Sequence, residues 1–239
     1  MLSAFINEIE WITWPQTGNL IPYPGLGARC RFHPAAWHDS LFNEAGIPCP
    51  GDMARAVIKR RAEFLAGRYL ARLVLNRLGH PGVILSRAAD RSPQWPSDIA
   101  GSLSHSAGYV ICAAHRRQQD WSGVGLDIEM PVSEEQAATL WPGIVSEEEC
   151  QWLRTQAITF DAGLTLCFSA KESLFKALYP AVEHYFDFLD ARICALDLRR
   201  HSFELELLTD LNATFSAGRR FSGIWQRWDD NIMTFIYSQ

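Results

Sequence analysis

The chain has 239 residues, is 48% hydrophobic and carries a formal net charge of −5, which is ample for one sizeable domain or two small ones and excludes general disorder. That weakly acidic balance also excludes a global attraction to nucleic acid or to an anionic membrane, so any anion site must be local. Six cysteines, at 30, 49, 112, 150, 167 and 194, are scattered and form no Cys-x-x-Cys, as expected of reduced thiols in a cytoplasmic protein.

The opening residues include Glu8 and Glu10 and lack the basic segment of a signal peptide. No apolar run reaches the roughly eighteen residues of a membrane span, so no stable membrane insertion is expected. Residues 1 to 51 carry aromatic and Pro/Gly punctuation, including Trp14-Pro15 and the Ile21 to Gly25 stretch, and suggest short extended pieces joined by turns, with a strand over Ala28 to His33. Asp52 is placed to cap a long helix reaching about Leu78, with Gly79 as its stop. Its apolar side would hold Val57, Ile58, Phe64, Leu65, Leu70, Leu73, Val74 and Leu78. Arg55, Lys59, Arg60, Arg61, Arg68 and Arg72 form the one dense cationic stretch, equally suited to a solvated helix face.

Val83 to Leu85 suggests a strand, and Arg87 to Pro96 a polar loop. Gly101-Ser102-Leu103-Ser104-His105 leads into a strand over Tyr109 to Ala114, apolar enough to be buried on both faces. Ser104 and His105 are adjacent in extended chain and point to opposite faces, so they are not a nucleophile and its own base. Arg116 to Asp120 is a polar linker and marks the boundary between two halves, 1–119 and 120–239. Helices are expected from Glu134 to Leu140, from Glu147 to Thr155 behind a Ser146/Glu149 capping box, and from Leu164 to Leu178, ended by Pro180. The three glutamates 147 to 149 are best explained as helix N-terminal charges. Strands over Ala191 to Leu198 and Phe203 to Leu208, then a hairpin from Arg219 to Tyr237 turning at Asp229 to Asn231, complete the chain.

The chemistry concentrates in Gly123-Val-Gly-Leu-Asp-Ile-Glu129 and Phe168-Ser-Ala-Lys-Glu-Ser-Leu-Phe-Lys176. As a strand, the first sets Val124, Leu126 and Ile128 on one face and Asp127 with Glu129 on the other. As a helix, the second puts Glu172 and Lys176 four residues apart on one face. Three carboxylates and a lysine could converge, a donor set that suits Mg²⁺ completed by substrate phosphates. The same residues also suit a solvated sheet face and a surface ion pair.

Gly-Leu-Asp-Ile-Glu, then Phe-Ser-x-Lys-Glu-Ser-x-x-Lys, preceded by Gly-Ser-Leu-Ser-His and by Trp95-Pro96, resembles the 4′-phosphopantetheinyl transferases of the surfactin and enterobactin synthetase type over roughly residues 60 to 190. The resemblance implies an α+β fold of two similar α/β halves forming a pseudo-dimer, with the site in the cleft between them. Residues 1–119 would serve the coenzyme A nucleotide and 120–239 would bind Mg²⁺ and carry catalysis. It further implies that Arg61 reaches the 3′-phosphate of coenzyme A, that Arg91, Ser104, His105, Asp127, Lys171 and Lys176 help hold that substrate, and that Asp127, Glu129 and Glu172 ligate the metal. Glu172 would be the base, directly or through a metal-bound water, and Lys176 a point charge on phosphate. Lys171 also permits a structural role. Phe168 stands where many members have tryptophan. The implied reaction moves the phosphopantetheine arm onto a serine of an apo acyl or peptidyl carrier protein, in a monomeric cytoplasmic enzyme. The alternatives are a Mg²⁺-dependent hydrolase of coenzyme A or a nucleotide, and a non-catalytic carrier- or coenzyme A-binding module. A nucleic-acid binder is disfavoured by the charge and the lack of a motif.

Overall fold

Two long helices organise the chain, and each lies on its own antiparallel sheet in the computed structural model, which describes residues 2–14, 22–117 and 123–238. The chain divides into two compact units, the first made of Met1–Trp14 with Pro24–Gln119 and the second of Pro15–Tyr23 with Asp120–Gln239.

The first unit opens with α1 (Leu2–Phe5), β1 (Ile6–Ile12) and β2 (Leu26–Phe32), followed by α2 (Leu41–Ala45) and the long α3 (Ile58–Arg77). A small hairpin, β3 (Ser86–Arg87) and β4 (Pro93–Gln94), precedes β5 (Ile99–Ser106) and β6 (Tyr109–Arg116), and the main sheet runs β1-β2-β6-β5. Leu65, Leu70 and Val74 of α3 are fully buried in one core with Ala28, Cys30, Val110 and Cys112, and each such leucine contributes roughly 1.5–3 kcal/mol. The sequence placed the start of this helix too early. Asp52 precedes a separate 3-10 turn, Met53–Arg55, after which Ala56 and Val57 are extended, so Val57 and Ile58 are 73% and 49% exposed instead of lying on the apolar side. At the other end Gly79, at φ +87°, closes the helix while His80 N–H donates to the Leu75 carbonyl, the expected glycine stop. Val83 to Leu85 is irregular, and pairing begins only at Ser86.

The second unit runs β7 (Gly123–Glu129), α4 (Glu134–Leu140), α5 (Glu147–Leu153), α6 (Phe160–Val182), β8 (Ala191–Asp197), β9 (Ser202–Leu207), β10 (Arg220–Trp228) and β11 (Asn231–Ser238), in a sheet ordered β7-β11-β10-β9-β8. Leu166, Leu174 and Leu178 of α6 share a core with Leu205, Phe221, Ile232 and Ile236 of the sheet. Pro180 does not end α6, which continues to Val182 before Glu183 turns left-handed at φ +60°. Only two residues follow the proline, so a single final turn absorbs its missing N–H. The hairpin turns where expected, at Asp229 with φ +50°. Trp14 belongs to the first unit, and Tyr23 packs edge-on against Phe235 and Tyr237; the intervening punctuation at 15–21 lies outside the described residues. The α+β class expected from the sequence therefore holds, with a helix-and-sheet module in each unit.

Candidate active site

In the second unit the site begins with a missing side chain. Gly125, Asp127 and Glu129 share one face of β7, and α6 lies directly on it: a Cβ at Gly125 would stand 2.7 Å from the Ser173 carbonyl carbon, 2.8 Å from the Ala177 nitrogen and closer still to the Ser173 carbonyl oxygen. Strand and helix backbones thus touch, which brings the functional residues of α6 down to Asp127. Lys176 Nζ donates to Asp127 Oδ1 at 2.6 Å and lies 3.9 Å from Glu172 Oε2. Asp127 is 2% exposed, so the acidic face of the strand is not solvated. Burial raises the Glu172 pKa; Lys176 pulls it back and Asp127 pushes it further up. Glu129, half-buried, ends the same strand face.

Lys171 goes elsewhere. Its ammonium donates to Glu149 Oε2 at 2.7 Å and to the Ile144 carbonyl at 2.8 Å, while Glu149 Oε1 accepts from the Ile193 N–H of edge strand β8 at 2.8 Å. Both side chains are 2% exposed. Glu149 is therefore more than a helix N-terminal charge: Ser146 caps its N–H, but its carboxylate ties α5, α6 and β8 together.

The first unit carries the cations. Arg68 is 95% buried on α3 and stacks over Phe64 at 4.7 Å. Its Nε has no hydrogen-bond partner among the described residues. Burial, with Arg87 and Arg60 close by, holds its pKa down to about 10. Phe64 also lines a cavity of about 530 Å³ with Pro48, Pro50, Ile84, Arg87 and Arg91. Arg87 donates to Asp52 at 2.8 Å, and Arg91, at φ +72°, sits in the turn between β3 and β4. Arg60 Nη1 lies 3.4 Å from His105 Nε2, whose ring is 3.8 Å from Glu63 on its other nitrogen. Ser104 is buried in β5. Trp95 covers this strand at Gly101, where a Cβ would come within 2.6 Å of the indole. Arg61 stands apart from this group: it donates to Asp39 at 2.7 Å and lies over Trp37.

Most of these residues fall inside two family matches. Residues 50–115 match the 4′-phosphopantetheinyl transferase N-terminal domain, and residues 123–228 match the 4′-phosphopantetheinyl transferase superfamily. The chain belongs to this superfamily. It is 32% identical over 218 residues to enterobactin synthase component D of Salmonella typhimurium, covering 90% of this chain and 88% of the relative. It is also 32% identical over 199 residues to the 4′-phosphopantetheinyl transferase Npt of Nocardia iowensis, covering 77% and 85%. The resemblance to the surfactin and enterobactin synthetase type, carried by the Gly-Leu-Asp-Ile-Glu and Phe-Ser-x-Lys-Glu-Ser segments, is thereby established, and the chain is an enzyme of that family.

For this transferase the structure joins Asp127, Glu172 and Lys176, and it gathers Arg60, Arg68, Arg87 and His105 in the other unit. Among the described residues no group of three His, Cys, Asp or Glu is close enough to hold a metal ion by side chains alone. The sequence marks Arg68 only as one of several arginines on a helix and Glu149 only as a capping-box residue, whereas the Glu149 carboxylate goes to Lys171 and Ile193 and only the Ser146 half of that box forms. Only burial distinguishes these two residues, and that depends on what packs against each helix. No helix among the described residues is long and apolar enough to cross a membrane.

Proposed function

We propose that this transferase moves the 4′-phosphopantetheine arm of coenzyme A onto a serine of an apo acyl or peptidyl carrier protein, releasing adenosine 3′,5′-bisphosphate. The observation that carries this reading is the Asp127–Lys176–Glu172 group, where a cation already stands between two carboxylates. Such an arrangement suits a divalent cation, since Mg²⁺ typically takes one or two protein carboxylates and completes its shell with water and phosphate oxygens. Asp127 and Glu172 would hold it, while Glu129, at the end of the same strand face, is not grouped with them closely enough among the described residues to be a third side-chain ligand; when bound, the ion would neutralise the diphosphate that an alcohol must approach.

The chain's own residues do the rest. Glu172, beside Lys176 and Asp127, is the candidate to take the serine proton directly or through a water. Lys176 supplies a point charge to a phosphate oxygen as charge grows on the leaving group. On the nucleotide side, residues 1–119 offer Arg60, Arg68 and Arg87 with Arg91, Ser104 and His105, and the apolar part of the adjoining cavity, with Phe64, Pro48 and Ile84, suits an adenine ring. A buried arginine repelled by two others is poised for an anion. Arg61, paired with the exposed Asp39 and with its buried Nε unpartnered among the described residues, remains a candidate for the 3′-phosphate. Lys171, held by Glu149, is assigned to structure rather than to coenzyme A. The six cysteines are free, which supports a cytoplasmic protein; we take it as a monomer, a point for sedimentation.

Intact mass spectrometry of an apo carrier protein incubated with coenzyme A, Mg²⁺ and this enzyme tests the reading. One phosphopantetheine is gained, and EDTA or Glu172→Ala abolishes the gain. Consumption of coenzyme A with no change in carrier mass would establish a hydrolase instead; no change in either would leave a binding module.

A further inference from the structure

Ser169 and Ser173 stand one turn apart on α6, and both reach Thr234 of β11. Their Oγ atoms lie 2.9 and 2.7 Å from Thr234 Oγ1, and Ser173 Oγ also donates to the Thr234 carbonyl oxygen at 3.2 Å. All three residues are completely buried. Along β11, Thr234 falls between Ile232 and Ile236, which belong to the apolar core under α6. Directly opposite it in the β7–β11 ladder is Asp127, and side chains paired in this way share a face.

A hydroxyl cluster in an apolar row adds little net stability over an apolar contact of the same shape. What it adds is a unique geometry. One hydroxyl has one proton to give and two lone pairs, and two serines one turn apart engage it in only one register. A slide of α6 by one residue, about 1.5 Å, breaks both contacts. Glu172 immediately precedes Ser173, and Lys176 follows it by less than a turn. The backbone contact at Gly125 sets how close helix and strand approach; it does not fix where along the strand the helix stops.

We infer that Thr234 is a positioning residue for the acidic site: with Ser169 and Ser173 it fixes the register of α6 on β7, and so the separation of Glu172 from Asp127. The inference rests on the reading of those carboxylates as a divalent-cation site. It assigns the two serines of the Phe-Ser-Ala-Lys-Glu-Ser segment to the sheet rather than to substrate.

The test compares Thr234→Val, which removes the hydroxyl at nearly constant shape, with Thr234→Ser, which keeps it. Leu207→Ala, three strands from β7 in the sheet, is the control for simple loss of stability. Mn²⁺ is titrated by water-proton relaxation with coenzyme A present and no carrier, and thermal midpoints and coenzyme A affinity are measured alongside. Thr234→Ser binds Mn²⁺ as the wild type does, and Thr234→Val binds it about tenfold to a hundredfold more weakly, the usual effect of losing a group behind the ligands, at unchanged coenzyme A affinity. Leu207→Ala lowers the midpoint alone. Should Thr234→Val not fold, Ser169→Ala removes one of the contacts and Ser173→Ala two, and each carries the same comparison. The inference is overturned if Thr234→Val binds Mn²⁺ normally, or if Leu207→Ala weakens binding equally. A wild-type protein that binds no Mn²⁺ overturns the cation-site reading itself.

Discussion

Replacing Gly125 by alanine should disable the enzyme without touching a charged group. The new methyl would meet the Ser173 carbonyl group and the Ala177 nitrogen, and since all of these are helix backbone, no side chain can swing aside to make room. Helix and strand must separate by on the order of 1 Å, and overpacking of this kind costs about 1–3 kcal/mol. For a chain of this size that lowers the thermal midpoint by roughly 2–12 °C. The same displacement falls on the 2.6 Å contact between Lys176 and Asp127, and a misplacement of about 1 Å in a catalytic constellation can remove a hundredfold of activity. Thermal denaturation and phosphopantetheine transfer, followed by carrier mass, measure both effects. Gly143→Ala is the control, because nothing lies within 4 Å of the Cβ it would add. Wild-type transfer by Gly125→Ala, at an unchanged midpoint, would refute the claim that strand and helix must touch for the site to form.

Three further outcomes are expected. Glu149→Ala leaves the Lys171 ammonium buried and uncompensated and should cost about 3–5 kcal/mol in urea denaturation, whereas the paired change Glu149→Leu with Lys171→Met should recover most of it; equal losses in both would show that the charges are not what matters. Arg68→Met should weaken coenzyme A binding in calorimetry by roughly tenfold or more, the worth of one charge-assisted hydrogen bond, while leaving folding stability nearly unchanged; an effect smaller than that of Arg61→Ala would return the nucleotide contact to Arg61. His115, buried in β6, has its pKa pushed down to about 4 by burial and by Arg117. The unfolded chain therefore takes up a proton that the folded chain refuses, so the stability is complete above about pH 6.5 and is lost as the pH falls toward 4. Urea midpoints across that window should fall less steeply for His115→Gln, and parallel profiles would dismiss the assignment.

Local sequence determined the elements whose signals are local. Ser133 and Ser146 begin α4 and α5, Gly79 stops α3, Asp229 to Asn231 turns the last hairpin, and the alternation of Gly123 to Glu129 makes a strand with two acids on one face. The spacing of Glu172 and Lys176 on one helix face was equally plain, because it follows from the period of a helix. Tertiary structure decided whether those faces meet. Val57 and Ile58 look like core residues and are exposed, since the chain stays extended for two residues before α3 and leaves both side chains in solvent. The helix period already allowed Lys171 a structural role apart from Lys176, but not that one meets Glu149 and the other Asp127, which follows because α5 and β7 approach α6 from different sides. Arg68 is separated from its neighbours on α3 only by burial. A sequence specifies which residues share a face through the period of its backbone, whereas which faces become neighbours depends on close packing between elements distant in the chain, here controlled by a single absent side chain at Gly125.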